Sequence, residues 1–230
     1  MKVEGLIECV RQKLGRVPSL HSLILFGSLV RGDFIPGTSD VDFFAVLEDG
    51  ADPESIIEKI KPTLEECSAF LNPVEVDLAW EWLPNLRDPL HLGYPFKFLT
   101  VYQQDFRVNH VVIFGEDVVG LLPEYRLDGI MIERLERTLQ RLEGLNRKML
   151  HITAGETARL LAFIHGSGLE KDDVLETLRK IGDEWAVRVY EAYLNGRRMN
   201  FEEEFLKEFV RSRVELIKKK IEEGSLLLRL

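Results

Sequence analysis

Between Ile24 and Phe44 the chain runs ILFGSLVRGDFIPGTSDVDFF, a Gly27-Ser28 pair followed at short range by Asp40 and Asp42 on an apolar stretch. Residues i and i+2 of a β-strand face the same side, so Asp40 and Asp42 point together, about 6–7 Å apart along the strand. Two like charges so placed repel and push at least one pKa upward. A divalent cation is the simplest thing to justify the arrangement. Gly27, with no Cβ, lets backbone approach a ligand. Ser28 opens the next helix with a hydroxyl and unpaired N–H groups, donors that a phosphate accepts. Arg31 lies one turn on, its guanidinium fork suited to phosphate oxygens. Two aspartates holding two metal ions, or sharing one, would activate the attacking oxygen and stabilise the leaving one in an in-line phosphoryl displacement. Such a site needs a third carboxylate from a neighbouring strand, and VEVDLAW at Val74–Trp80 offers Glu75 and Asp77 on one strand face. Each piece alone has a plainer meaning, a capped turn or solvated acids. Their fixed order among apolar residues is what makes the pattern specific.

These residues need elements to hold them. Apolar spacing predicts a helix over Val3–Leu14, then strands at His21–Phe26 and Val41–Leu47, joined by a loop with Gly32, Pro36, Gly37 and Ser39. A helix follows over Pro53–Leu71, with Pro62 a point where it breaks or restarts, then the strand Val74–Trp80. A helix over Phe96–Phe106 precedes a strand at His110–Gly115. Beyond Pro123 the pattern turns wholly helical: Ile130–Met149, Thr157–His165, Asp172–Ile181, Glu184–Tyr193 and Phe201–Ile221. The expected organisation is a mixed α/β catalytic domain over residues 1–122 and an all-helical domain over 123–230.

Charge supports that division. The net −9 falls within residues 1–127, with 11 basic and 20 acidic residues, while residues 128–230 hold 19 of each. A long nucleic acid wants a basic track, and none is visible, so a small or cationic acceptor, or a protein side chain, is the better partner. No apolar run approaches the roughly 20 residues that span a bilayer, and the start lacks the apolar core of a signal peptide. The two cysteines, Cys9 and Cys67, fall in apolar-periodic segments and are expected as buried free thiols, which with the rest suggests a cytoplasmic protein.

The order hydrophobic-Gly27-Ser28, an 11-residue spacer (Leu29–Ser39), then Asp40-hydrophobic-Asp42-hydrophobic resembles the signature of the DNA polymerase β-type nucleotidyltransferase superfamily. The segment GSLVRGDFIPGTSDVDF is most similar to its minimal and aminoglycoside branches. The resemblance implies a mixed-sheet fold and transfer of a nucleoside monophosphate, AMP, from ATP or another NTP to a hydroxyl, with two Mg²⁺ ions. It implies that Gly27, Ser28, Arg31 and Ser39 bind the nucleotide and that Asp40, Asp42 and Asp77 are metal ligands. Asp77 would also orient or deprotonate the acceptor hydroxyl, with Glu75 the second choice. Leu29 departs from the basic residue that minimal members often carry there. The acceptor is expected in a cleft between the two domains; the alternative is an antitoxin-like or regulatory enzyme that binds or AMPylates a partner protein. Arg159 and His165 share a spacing with HEPN-type ribonucleases, and Trp80 and Trp82 are candidates for stacking, but packing roles are the expectation for all four.

Overall fold

The computed structural model describes residues 2–87, 101–122, 127–196 and 201–223. The chain divides into two compact units, residues 1–125 and 126–230.

The first unit holds α1 (Lys2–Leu14), β1 (Leu20–Phe26), the single turn α2 (Ser28–Arg31), β2 (Val41–Leu47), α3 (Pro53–Ser68), β3 (Val76–Trp82), α4 (Val101–Val108) and β4 (His110–Gly115). Its sheet has the order β3-β2-β1-β4. Strand β1 is antiparallel to β2 and β4, and β2 is parallel to β3. A parallel pair needs a long crossover, which α3 supplies. On one sheet face Leu23, Leu25, Val41, Phe43, Ala45 and Leu47 pack with Leu6 and Val10 of α1 and Ile56, Ile60 and Leu64 of α3. On the other, Phe26 and Phe44 receive the ring of Phe106 from α4, edge-on at 5.4 and 5.8 Å. With both faces covered, β1 and β2 are nearly continuous apolar runs. A polar residue within β2, such as Asp42, therefore stands out.

Several expectations shift. Cys9 and Cys67 are not free thiols but a disulfide. Helices α1 and α3 lie side by side, bringing the two Cα atoms to 5.7 Å, within the range a disulfide bridges. A proximity between residues 58 apart in sequence is a product of tertiary packing and has no local signal. The inference of a reducing compartment rested on those thiols and loses that footing; among the described residues no helix is long and apolar enough to cross a membrane.

Helix α3 runs through Pro62, which is exposed, so water can satisfy the carbonyl that lacks its helical donor. Strand β3 begins at Val76, two residues late, because Asn72 takes a left-handed turn (φ 52°) and the 72–75 stretch pairs with the loop before β2. Gly37 N–H donates to Asn72 O at 2.6 Å and Val74 N–H to Ser39 O at 3.1 Å. Residues 96–100 of the expected Phe96–Phe106 helix lie outside the described residues. Trp80 and Trp82 pack towards the α1/α3 layer, and Trp82 Nε1 donates to Ala51 O at 3.1 Å.

The second unit comprises α5 (Leu127–Arg141), α6 (Arg147–Ile164), α7 (Lys171–Lys180), α8 (Glu184–Leu194) and α9 (Glu203–Glu222). The helix expected across Ile130–Met149 is broken at residues 142–146, where Asn146 caps α6 by accepting the Met149 N–H at 2.9 Å. Small residues on α6 let α8 come close: a Cβ on Gly155 would lie 2.4 Å from Tyr193 Cγ. Arg159 is buried and donates to Tyr190 Oη at 3.2 Å, whereas His165 sits 3.3 Å from Lys220 Nζ. Burial, and then the Lys220 charge, hold the His165 pKa below its usual value. The two residues thus serve separate packing contacts.

Candidate active site

Strand β1 delivers the chain to Gly27, whose φ of 76° and ψ of −154° suit glycine alone. Space imposes the same choice, since a Cβ there would lie 2.3 Å from Asp42 Oδ2. The Asp42 carboxylate thus rests against bare backbone at the end of β1. Ser28–Arg31 then makes one helical turn, closed by Arg31 N–H on Gly27 O at 3.0 Å and ended by Gly32 at φ 96°. In such a turn the amides of residues 28–30 have no acceptor of their own.

Pairing of the strands aligns the carboxylates. Phe26 is opposite Asp42 on β2 and opposite His110 on β4, and Asp42 is opposite Asp77 on β3. His110, Phe26, Asp42 and Asp77 therefore form one row across the sheet, with neighbouring strands about 4.8 Å apart. Paired residues share a face, here the Phe106 face, away from α1 and α3. The row lies where β1 ends and β2, β3 and β4 begin, and Asp40 immediately precedes β2. Asp40, Asp42 and Asp77 are all partly buried. Glu75 falls outside the strand and is exposed; its backbone carbonyl accepts the Val41 N–H at 3.0 Å. Of the two candidates, Asp77 and not Glu75 is in register with Asp42.

Among the described residues no group of three or more acidic, histidine or cysteine side chains could hold a metal by itself. Mg²⁺ is usually held by one or two carboxylates plus substrate phosphates. The hard oxygen donors of Asp42 and Asp77, in register, with Asp40 beside them, are the right chemistry for it.

Two expected nucleotide ligands are engaged elsewhere. Arg31 Nη1 donates to Asp105 Oδ2 at 2.5 Å and Nη2 lies 3.0 Å from Asp33 Oδ1, with the Arg31 and Asp105 side chains only 5% and 3% exposed. Its buried Nε has no hydrogen-bond partner among the described residues. Ser39 is buried and its Oγ accepts the Ile35 N–H at 3.0 Å, bracing the loop. The approach of Asp105 to Arg31 spans 74 residues and has no local signal.

Three neighbours had no sequence signal. Asp105 meets Arg31 from 74 residues away, and Asn109 Nδ2 donates to its Oδ1 at 2.8 Å. His110 ends the row, its ring stacked on Phe106 at 5.4 Å and its Nε2 3.3 Å from Asp117 Oδ2. The Val119 N–H, with help from His110, holds the Asp117 carboxyl below its usual pKa against a smaller opposing effect of burial. Only the i, i+4 spacing of Asp105 and Asn109 could have been noticed, and that spacing is common.

A glycine turn facing aligned aspartates at one end of a mixed sheet defines an enzyme class, the nucleotidyl-transferring enzymes. Residues 3–115 match the family model for the nucleotidyltransferase domain, so the chain carries a nucleotidyltransferase domain. The crystal structure of spectinomycin adenyltransferase AAD(9) from Enterococcus faecialis, with ATP and spectinomycin, matches with a TM-score of 0.60 at 15% identity. The match covers 96% of this chain and 98% of that one, so the likeness in fold extends through the helical unit. No curated protein sequence matches the chain.

Proposed function

We propose that this nucleotidyltransferase moves AMP from ATP to a hydroxyl of a small cationic acceptor, releasing pyrophosphate, and that the reaction depends on Mg²⁺. The observation that carries the reading is the Asp42 carboxylate lodged against Gly27 and in register with Asp77. The Gly27-Ser28 turn binds the triphosphate through backbone N–H groups and the Ser28 hydroxyl. Asp40, Asp42 and Asp77 would hold Mg²⁺, which would supply positive charge to offset that of the phosphates and the departing pyrophosphate. Asp77 orients the acceptor hydroxyl and takes up its proton. An acceptor of positive charge suits the acidic first half of the chain, where residues 1–127 carry the net −9, and the AAD(9) structure contains a small molecule, spectinomycin, together with ATP. An ATP donor favours a cytoplasmic location.

The test is transfer of label from α-³²P-ATP with Mg²⁺, to a panel of amino-sugar acceptors and, separately, to lysate. Label on a small acceptor, lost in Asp40→Ala, supports the proposal. Unchanged AMP transfer by that variant would overturn it. Label confined to a protein band would instead favour a regulatory enzyme that AMPylates a partner.

A further inference from the structure

We infer that Gly37 and Asn72 form a clasp that sets the register of β3 against β2, so that Asp77 and not Glu75 comes opposite Asp42. The functional weight of the clasp rests on the nucleotidyl-transfer reading given above. Both residues turn their chains in the left-handed region, Gly37 at φ 73° and Asn72 at φ 52°. They meet where Gly37 N–H donates to Asn72 O at 2.6 Å. From that point the two segments run side by side. Val74 N–H donates to Ser39 O at 3.1 Å, and Val41 N–H donates to Glu75 O at 3.0 Å. The ladder then continues with Val41 opposite Val76 and Asp42 opposite Asp77. Asp40 lies between the Ser39 carbonyl and the Val41 amide that make those bonds, so the clasp fixes its backbone too.

Alternation of side chains does not make this choice. Val76, Leu78, Trp80 and Trp82 pack with the α1/α3 core, which leaves Asp77, Ala79 and Glu81 on the other face. A slip of one residue would turn those three into the core. A slip of two keeps every residue on its face, yet it brings Glu75 or Ala79 opposite Asp42. Asp77 would then stand about 6–7 Å further along the strand. The alternation fits the observed register and both of these slips, whereas the bonds of Gly37, Val41 and Val74 form in one register. Asn72 decides where they form. Its N–H donates to Ala69 O at 3.1 Å, ending the turn at Ala69–Leu71, and its left-handed backbone leads residues 73–75 onto the loop before β2. Asparagine tolerates that conformation and glycine adopts it freely, whereas a β-branched residue resists it. Asn72 is exposed, so a substitution there tests backbone conformation without emptying a packed site. It is a positioning residue, acting on the carboxylates through the main chain.

The experiment compares the full wild-type chain with Asn72→Gly, Asn72→Ala and Asn72→Val. Hydrogen exchange is followed at the amides of Gly37, Val41 and Val74. Affinity for Mn²⁺ in the presence of α,β-methylene-ATP is measured by water proton relaxation. In Asn72→Val the three amides should exchange about tenfold faster and Mn²⁺ should bind about tenfold more weakly, the scale of a disfavoured left-handed residue. Asn72→Ala should shift both in the same direction by less, and it carries the test should Asn72→Val not fold. Asn72→Gly should stay within about twofold of wild type, because glycine keeps the turn. A loss in Asn72→Gly equal to that in Asn72→Val would assign the effect to the side chain and overturn the inference. Unchanged exchange in Asn72→Ala and Asn72→Val would overturn it as well. Faster exchange with unaltered Mn²⁺ affinity would show that the clasp does not position the carboxylates. If wild type binds no Mn²⁺ with the analogue, the nucleotidyl-transfer reading fails. Exchange at the three amides still judges the clasp, and unchanged protection would refute it.

Discussion

Two arginine–aspartate pairs show how differently the units use charge. In the α/β unit, Arg31 and Asp105 are almost fully buried beside a turn that faces aligned carboxylates. In the helical unit, Arg213 grips Asp183 with two parallel bonds of 2.8 and 2.9 Å, while Asp183 also caps α8 by accepting the Ala186 N–H at 3.0 Å. The second pair joins two helices and closes a helix end, and nothing converges on it. The first is joined to Asp42 through Gly27. The comparison separates a pair beside the carboxylate row from one that joins helices, although both look alike as residue types.

The largest effect that could break this contrast lies in the carboxylate row. Asp42→Asn should lower nucleotidyl transfer by roughly 10²–10³, the scale for removing a group that stabilises developing charge. Its thermal unfolding should stay close to wild type. Comparable transfer by Asp42→Asn and wild type would show that the row is not the reacting centre. Glu75→Gln, by contrast, should keep most of the activity, because Glu75 is exposed and outside the strand. A loss equal to that of Asp77→Asn would reverse the choice between them.

Next in size is the Cys9–Cys67 disulfide. It closes a loop of 58 residues that contains Gly27, Ser28, Asp40 and Asp42, so the α/β unit has the motif inside a covalent ring and the helical unit has no counterpart. Loop-closure entropy for that length amounts to roughly 4 kcal/mol. Cys9→Ser with Cys67→Ser should lower the denaturant midpoint, with hydrogen exchange accelerating in α1 and α3 and not in α6. Equal acceleration in α6 would mean the two units do not unfold separately.

How much of this was legible in the sequence follows the range of the interactions. Strands β2 and β4 match their apolar runs end to end, and in β2 two covered faces leave a continuous signal. The need for glycine at position 27 was legible too, but the reason was not: the missing Cβ was expected to make room for a ligand, and it makes room for the Asp42 carboxylate. The start of β3 was not, because it depends on the 72–75 stretch bonding to a loop 35 residues earlier. The disulfide and the Arg31–Asp105 pair failed for the same reason: each joins residues whose approach is set by packing. Arg31 in particular fits a phosphate ligand by type and spacing, and its ion pair with Asp105, 74 residues away, has no local signal.

A smaller effect is expected in the helical unit at Asp183. Burial alone would raise its carboxyl pKa, but Arg213 and the Ala186 and Trp185 N–H groups outweigh it and hold the pKa below the ordinary value. A lowered folded-state pKa means the stabilisation is present above the unfolded pKa and lost as pH falls through the folded one. Asp183→Asn should therefore cost about 2 kcal/mol near neutral pH, from the weakened cap and the lost charge. The deficit should shrink towards strongly acidic pH, where wild type also loses the charge. Urea titrations at several pH values check both points, and a deficit independent of pH would assign it to shape rather than charge.

The smallest effect marks the floor of the comparison. Glu143 meets Lys207 at 3.2 Å and also pairs with Arg211, and these hydrogen bonds and charges lower its pKa. Yet Glu143 is 65% exposed, and a solvated ion pair contributes little because water and salt screen it. Glu143→Gln should leave both the melting temperature and nucleotidyl transfer unchanged within error, in low salt and in high. A clear loss of stability at low salt alone would show that this surface network is stronger than its exposure implies. It would also blur the line drawn here, in which charge matters in this protein chiefly where burial removes the competition from water.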